Sequence, residues 1–233
     1  MSVDLAALKR EAADLAVERE VRSGMRLGLG TGSTATLMLD ALAERLADGR
    51  LSDIVGVPTS DATGRRGREL GIPISTLDEL PRLDVVIDGA DEIDPKLRLI
   101  KGQGGAHLRE KVVAYAAARM VVIADETKLV SRLGEKAPLP VEVIRFAMPV
   151  CEWLLRDQGW QPVLRRRADN GDPFVTDEGN HILDCRRDDW SDPDALNRDV
   201  SDIPGVVAHG LFLNLAAVAF VATSEGVRIL AAR

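Results

Sequence analysis

The sequence predicts an α/β protein in which an open, mostly parallel sheet covered by helices is joined to a smaller α+β domain of split βαβ (ferredoxin-like) type. In the first half, short apolar runs alternate with helical patterns, the order expected of a parallel sheet with helices on both faces. Asp84-Val-Val-Ile-Asp88 and Met120 to Ala124 have the unbroken apolar middle of strands buried on both sides. After Pro138-Leu-Pro140 the order becomes β-α-β-β-α-β.

The elements follow from local chemistry. Leu5, Leu8, Ala12 and Leu15 share one helical stripe, and Met25 to Leu29 makes a strand that ends in glycines. Ser33 or Thr34 is expected to cap the next helix, which carries Leu39, Leu42 and Leu46 and closes at Gly49. Ile54 to Val57 is a strand, Ser60-Asp61 opens a helix that stops near Gly71, and Leu108 to Arg119 is the helix before Met120. In the second part Val141 to Arg145, Gln161 to Arg166 and Val206 to Phe212 read as strands, and Phe174 to Cys185 as strand material with Glu178-Gly179-Asn180 turning within it. Pro149 to Asp157 and Pro193 to Val200 read as helices. The larger domain is therefore placed at residues 1–135 plus 211–233, and the small one, with expected oligomer contacts, at about 136–210.

Composition excludes several classes. The 233 residues are 45% hydrophobic and 29% charged, enough to bury a substantial core. Aromatic residues at 3% and a formal charge of -7 oppose both base stacking and general phosphate attraction, so no nucleic-acid role is expected. The segment Asp4 to Glu20 is studded with charge, and no run approaches the roughly 20 apolar residues of a bilayer span, so neither membrane segment nor secretory signal is expected. Cys151 and Cys185 form no metal-type pair and are read as thiols of a reducing cytoplasm.

Four polar segments at strand ends could carry chemistry. Gly28-Leu-Gly30-Thr31-Gly32-Ser33-Thr34 follows a strand and opens a helix, so its amides converge where a phosphate binds. It is neither a dinucleotide fingerprint, having Ser33 at the third glycine, nor a Walker loop, having no Lys before the hydroxyls. The hydroxyls of Thr31, Ser33 and Thr34 suit a compact phosphate monoester; a plain capped turn is the alternative. Asp88-Gly89-Ala90-Asp91-Glu92-Ile93-Asp94 lies at the carboxyl end of the most buried strand, where acids act on protons, hold Mg²⁺, or merely cap a loop. Lys101-Gly102-Gln103-Gly104-Gly105 brings a cation and permissive backbone, and Glu110 follows on the first turns of a helix. A carboxylate withdrawn from water there suits a general base, whereas Glu110 with Lys111 could equally be an exposed helix face. His107, three residues before Glu110, either neighbours that carboxylate or faces solvent, the latter being the expectation. Ala124-Asp125-Glu126-Thr127-Lys128 is the fourth segment.

These residues give the sequence a resemblance to type A ribose-5-phosphate isomerases. The match runs through Gly30-Thr-Gly-Ser-Thr34, Ser60-Asp-Ala-Thr63, Asp88-Gly-Ala-Asp-Glu-Ile93, Lys101-Gly with Arg109-Glu-Lys111, and Ala124-Asp125 with Lys128. It continues through Pro138-Leu-Pro-Val-Glu-Val-Ile144, Val175-Thr-Asp177, Gly179-Asn180, Ile182-Leu-Asp184 and Ile203-Pro-Gly-Val-Val207, nearly the whole chain. The resemblance implies a Rossmann-like domain plus a smaller α+β domain, no metal or other cofactor, a cytoplasmic homodimer or dimer of dimers, and interconversion of D-ribose 5-phosphate and D-ribulose 5-phosphate through an enediolate. It implies that Thr31, Gly32, Ser33 and Thr34 hold phosphate and that Asp88, Gly89, Ala90 and Asp91 form the acidic substrate loop. Lys101, Gly102, Gln103 and Gly104 become the next substrate loop, Lys128 a further contact, and Glu110 the proton-transferring base. Lys101 would stabilise the enediolate oxygen, Asp88 would assist ring opening, and Asp91 would bind a hydroxyl or act as the partner of Asp88 in catalysis. Two departures stand out: Gln103 replaces a glycine, and Ala106-His107-Leu108 replaces Ala-Leu-Thr. A CoA-transferase-like enzyme, a noncatalytic sugar-phosphate sensor and a Mg²⁺ phosphohydrolase built on Asp88 and Asp91 are the competing readings.

Overall fold

The structure is a computed structural model that describes residues 5–231, with side chains from residue 7, so the charge of Asp4 and the stripe position of the Leu5 side chain lie outside the described residues. In chain order the elements are α1 (Leu5–Glu20), β1 (Arg26–Leu29), α2 (Ser33–Ala47), β2 (Val55–Pro58), α3 (Asp61–Glu69), β3 (Val85–Asp88), β4 (Glu92–Ile93), β5 (Leu99–Ile100), α4 (His107–Ala116) and β6 (Met120–Asp125). They continue with β7 (Leu139–Val143), α5 (Met148–Asp157), β8 (Gln161–Leu164), β9 (His181–Arg186), α6 (Pro193–Ser201), β10 (Val206–His209), β11 (Leu211–Phe212), β12 (Ala216–Thr223) and β13 (Gly226–Ala231).

Residues 5–90, 109–129 and 214–231 form one compact unit. Its sheet has the order β13-β12-β6-β3-β1-β2 and is parallel except for the antiparallel edge strand β13. The chain steps outward from β1 to β2, then returns to β3 and proceeds the other way to β6 and β12. In open α/β sheets, ligands bind outside the carboxyl ends of the strands where the order reverses in this manner. β3 and β6 are buried at every position, as their unbroken apolar runs require. The core joins Leu27, Leu29, Met38, Leu39, Leu42, Ile87, Val121, Ile123 and Phe220. On α1 the buried stripe is Ala12, Ala13, Ala16 and Val17, with Leu8 and Leu15 only half-buried, because small side chains let the helix lie close to its neighbours.

Residues 91–108 and 130–213 form the second unit. Its antiparallel sheet has the order β10-β7-β9-β8, and the sequence β7-α5-β8-β9-α6-β10 is that of a split βαβ fold. All five residues of β7 are buried, for two different reasons. Leu139, Val141 and Val143 enter a core with Cys151, Leu155, Leu183, Leu196 and Val200. Glu142 lies on the opposite face and accepts hydrogen bonds from Thr176 Oγ1 at 2.8 Å and Asn180 Nδ2 at 3.0 Å.

Two expected strands are shorter than their apolar runs. Phe174 to Cys185 is strand only from His181: the expected turn through Glu178-Gly179-Asn180 is present, with the Thr176 amide reaching the Asn180 carbonyl at 3.0 Å, but the residues before it do not form a strand. Val206 to Phe212 breaks at Gly210, whose amide donates to the Pro140 carbonyl at 2.8 Å and whose carbonyl accepts from the Lys101 amide at 2.9 Å. A Cβ at Gly210 would lie 2.2 Å from the Lys101 carbonyl oxygen, so only glycine permits this crossing. Beyond it β11 pairs with β5 in a three-stranded sheet, β11-β5-β4, whose short strands leave no period to read in the sequence.

Close packing at Gly28 gives the first prediction. An added Cβ would meet Val86 Cγ2 at 2.6 Å and Val113 Cγ1 at 2.7 Å. Gly28→Ala should therefore lower unfolding free energy by about 1–3 kcal/mol, the cost of overpacking a filled core. A denaturation midpoint equal to that of the unsubstituted protein would contradict this packing.

Candidate active site

In the first unit the loop after β1 is built against the end of β3. A Cβ on Gly30 would lie 2.3 Å from Asp88 Oδ1, so glycine lets the two loops touch. The same Asp88 oxygen accepts the amides of Thr31 at 3.0 Å and Gly89 at 2.7 Å. Asp88 is 1% exposed and thus sits as a buried carboxyl at the reversal of the sheet. The expected hydroxyl cap is not formed: Gly32, at φ 101°, occupies the N-cap of α2, and Ser33 is already its first helical residue. A capping oxygen must stand one residue earlier, where this backbone admits only glycine. The amides of Ser33, Thr34 and Ala35 consequently lie in a first turn where no intrahelical carbonyl reaches them, at the positive end of the helix dipole.

Thr31 has a different environment from Ser33 and Thr34. Its hydroxyl lies 2.7 Å from Thr59 Oγ1, 2.9 Å from Ser60 Oγ and 3.1 Å from Thr63 Oγ1. Thr63 Oγ1 also donates to the Gly30 carbonyl at 3.0 Å, and Ser60 Oγ caps α3 by accepting the Thr63 amide at 3.1 Å. This hydroxyl network ties the loop after β1 to the loop after β2. Ser33 is exposed and Thr34 half-buried at the helix start.

Glu110, on α4, is 5% exposed, which rules out an ordinary solvated helix face. Beside it burial pushes the Lys111 ammonium down to about 8. Arg109 Nη1 bonds Asp61 Oδ1 at 2.6 Å, linking α4 to the start of α3 and holding the Asp61 carboxyl below its ordinary value. After β6, Lys128 ends a short 3-10 turn capped by Asp125, which accepts the Thr127 amide at 3.0 Å. Burial works to raise the Asp125 pKa, but the Thr127 hydroxyl and amide and the Lys9 ammonium outweigh it and hold the carboxyl low. Lys9 Nζ lies 3.5 Å from Asp125 Oδ2. Lys9 carries no signal in the sequence, being one lysine in a charged helix, until the fold sets it at a strand end.

In the second unit the acidic run divides by task. Asp91 is half-buried and accepts the Gln103 amide on Oδ2 at 2.9 Å. Glu92 is structural: it takes the amides of Gly134, Lys136 and Ala137 at 2.7, 2.6 and 2.7 Å. Asp94 likewise takes the amides of Lys96 and Arg98, each at 2.9 Å. Lys101 is 2% exposed, with Nζ 5.6 Å from the ring centroid of Phe212. The following loop turns through Gly102 at φ 107°. Gln103, where the resembling family has glycine, points Nε2 at the Pro138 carbonyl, 3.3 Å away.

His107 does not face solvent as expected. It is fully buried, with Nε2 3.9 Å from Glu142 Oε2, and its ring fills the space a Gly102 side chain would need, 2.7 Å from the added Cβ. Helix α4 begins at His107, so the imidazole enters the interior at the first turn. Among the described residues no group of three or more His, Cys, Asp or Glu side chains is arranged to hold a metal ion, and no helix is long and apolar enough to cross a membrane.

The chain is similar to known proteins along nearly its whole length. The family described as ribose 5-phosphate isomerase A (phosphoriboisomerase A) matches residues 55–226. The ribose-5-phosphate isomerase A of Roseiflexus sp. (strain RS-1) is 58% identical over 219 residues, covering 94% of this chain and 93% of its own. That of Bradyrhizobium diazoefficiens is 49% identical, covering 97% of this chain and 96% of its own. Among solved structures, ribose 5-phosphate isomerase A from Methanocaldococcus jannaschii superposes with a TM-score of 0.91 at 41% identity, covering 97% of this chain and 98% of that one. A D-ribose-5-phosphate isomerase in complex with phospho-erythronic acid superposes with a TM-score of 0.94 at 39% identity, covering 98% of this chain and 100% of that one. With an α/β unit reversing at Asp88, a split βαβ unit, and relatives matched along almost their full length, the chain belongs to the ribose 5-phosphate isomerase A family.

Proposed function

We propose that this protein interconverts D-ribose 5-phosphate and D-ribulose 5-phosphate through an enediolate. The observation that carries the reading is the burial of three ionisable side chains, Asp88, Lys101 and Glu110, on the segments that match the family. Ionisable groups are seldom buried to this degree without a partner or a chemical task.

Each group has a task suited to its chemistry. Glu110 removes the proton from C2 of the open-chain aldose and returns it to C1, so one carboxylate serves both half-reactions. As the proton leaves, negative charge develops on O1; the O2 hydroxyl proton passes to O1, leaving the charge on O2 until C1 is protonated, and the Lys101 ammonium stabilises that charge, a buried donor of this kind being worth about 3–4 kcal/mol in the transition state. Asp88 exchanges a proton with the ring oxygen as the furanose opens. Asp91, with Gly89, Ala90, Gly102, Gln103 and Gly104, binds sugar hydroxyls. The start of α2, with Thr31, Gly32, Ser33 and Thr34, holds the phosphate through first-turn amides and hydroxyls, and Lys128 adds a cation. The phospho-erythronic acid bound by one relative supports the reading chemically, since it joins a phosphate to a planar carboxylate as an enediolate phosphate joins its two charged ends.

The reading extends to assembly and location. The small unit exposes Phe146 at 94% and Trp153 at 54%, apolar surface of the kind that covers itself in oligomers. A homodimer or dimer of dimers in the cytoplasm fits that surface and the two buried free thiols.

The direct test is to mix the protein with ribose 5-phosphate and follow ribulose 5-phosphate by NMR. Turnover should persist after exhaustive chelation; activity lost with EDTA and restored by Mg²⁺, or release of inorganic phosphate, would favour hydrolysis instead. Glu110→Gln keeps shape but cannot accept the proton, so kcat should fall by about 10²–10⁴ or more while sugar phosphate still binds. Near-normal turnover in that variant would move the base to Asp88 or Asp91. Ser33→Ala and Thr34→Ala remove contacts made equally in ground and transition states, so KM should rise more than kcat falls. Phosphate-free ribose competing as well as ribose 5-phosphate would refute that assignment.

A further inference from the structure

The loop that follows Lys101 is held from beneath by a residue with no assigned role. Arg165 stands just beyond β8, and its guanidinium is committed on both sides. Nε reaches Asp184 Oδ2 at 2.9 Å and Nη2 reaches Asp184 Oδ1 at 2.5 Å, a two-point pairing with β9. Nη1 donates to the carbonyls of Gly102 at 2.8 Å and Gln103 at 3.1 Å. The backbone of Arg165 is fixed as well: its amide donates to the Ile182 carbonyl at 2.8 Å, and its carbonyl accepts the Phe174 amide at 2.9 Å. Phe174 completes the seat. Its ring lies 5.9 Å from the guanidinium carbon and fills the space where a Gly105 Cβ would stand, 2.5 Å away.

This geometry sets the direction of the loop's peptide groups. In a trans peptide the carbonyl and the following N–H point opposite ways. With the Gly102 carbonyl held by Arg165, the Gln103 amide is turned to the other side, where it meets Asp91 Oδ2 at 2.9 Å. With the Gln103 carbonyl held likewise, the Gly104 amide is turned the same way. Only a planar guanidinium anchored at two points can hold both carbonyls without rotating; an ammonium would act as a single point charge. We infer that Arg165, locked by Asp184, is a positioning residue that aims the amides of Gln103 and Gly104, and through them the Asp91 carboxylate, at the reacting sugar. The inference rests on the isomerase reading for its catalytic consequence but not for the clamp itself.

The test pairs a kinetic readout with one that needs no turnover. In the full-length protein, Arg165→Ala should lower kcat for ribose 5-phosphate at least tenfold with less than a threefold change in KM, because the phosphate loop is untouched. Arg165→Lys should recover little of the loss. Asp184→Ala should be deleterious alone yet add almost nothing to Arg165→Ala, since Asp184 acts through the guanidinium. Amide hydrogen exchange across residues 102–106 should speed up at least tenfold in Arg165→Ala, while β6 keeps its protection. If Arg165→Ala does not fold, Asp184→Asn replaces it, with the same loop exchange and a smaller loss of kcat expected. Unchanged loop exchange, or unchanged kcat in a protein that isomerises ribose 5-phosphate, would overturn the inference. If the unsubstituted protein does not turn over ribose 5-phosphate, the isomerase reading fails, and the exchange rates still decide the clamp.

Discussion

The Asp88 carboxylate is the constraint on which the carboxyl edge of the parallel sheet is organised. One of its oxygens takes the amides of Thr31 and Gly89, so the loops after β1 and β3 are tied together at the reversal of strand order. Hydrogen bonds to a charged acceptor are worth about 1.5–3 kcal/mol each, enough to fix the path of the chain into α2. The contact is possible only because Gly30 has no side chain, and the resulting turn is continued by Gly32 at a backbone angle other residues avoid. A buried acid thereby serves two purposes: it shapes the chain into the start of α2, and it is itself placed at the edge where ligands of such sheets bind.

The second unit solves a related problem by different means. Its loop after Lys101 has no regular structure to satisfy its peptide groups, so side chains do so: Asp91 takes an amide, Arg165 takes two carbonyls, and His107 packs beneath Gly102. Asp91 directly precedes β4, Arg165 directly follows β8 and His107 opens α4, so each anchor is positioned by regular structure and the irregular loop is held in one path. Glu142 shows the same logic on the face of β7 away from the apolar core, where Thr176 and Asn180 satisfy a carboxylate that would otherwise be costly to bury.

Much of this was legible in the amino-acid order because it rests on local rules. The apolar runs of β3 and β6, the cap at Ser60, the glycines after β1 and the β-α-β-β-α-β order each follow from short-range chemistry, as does the placement of acids and cations at strand ends. What was not legible depends on partners distant in sequence. His107 reads as a surface residue until Gly102 and Glu142 enclose it. Glu92 and Asp94 look equivalent to Asp91 until their backbone partners are known. The break at Gly210 arises from its approach to Pro140 and Lys101, and Lys9 and Arg165 acquire meaning only when the fold brings Asp125, Asp184 and the glycine loop beside them.

The proposed proton transfer by a single carboxylate differs from hydride transfer and from hydrolysis. Its signature is the fate of solvent hydrogen during turnover of the unsubstituted protein in D₂O, read by NMR on the ribulose 5-phosphate formed. One base on one face should place deuterium at a single stereochemical position of C1, with partial retention of the original C2 hydrogen if the buried base is shielded from solvent. Deuterium at both C1 positions, or no solvent label after many turnovers, would contradict it.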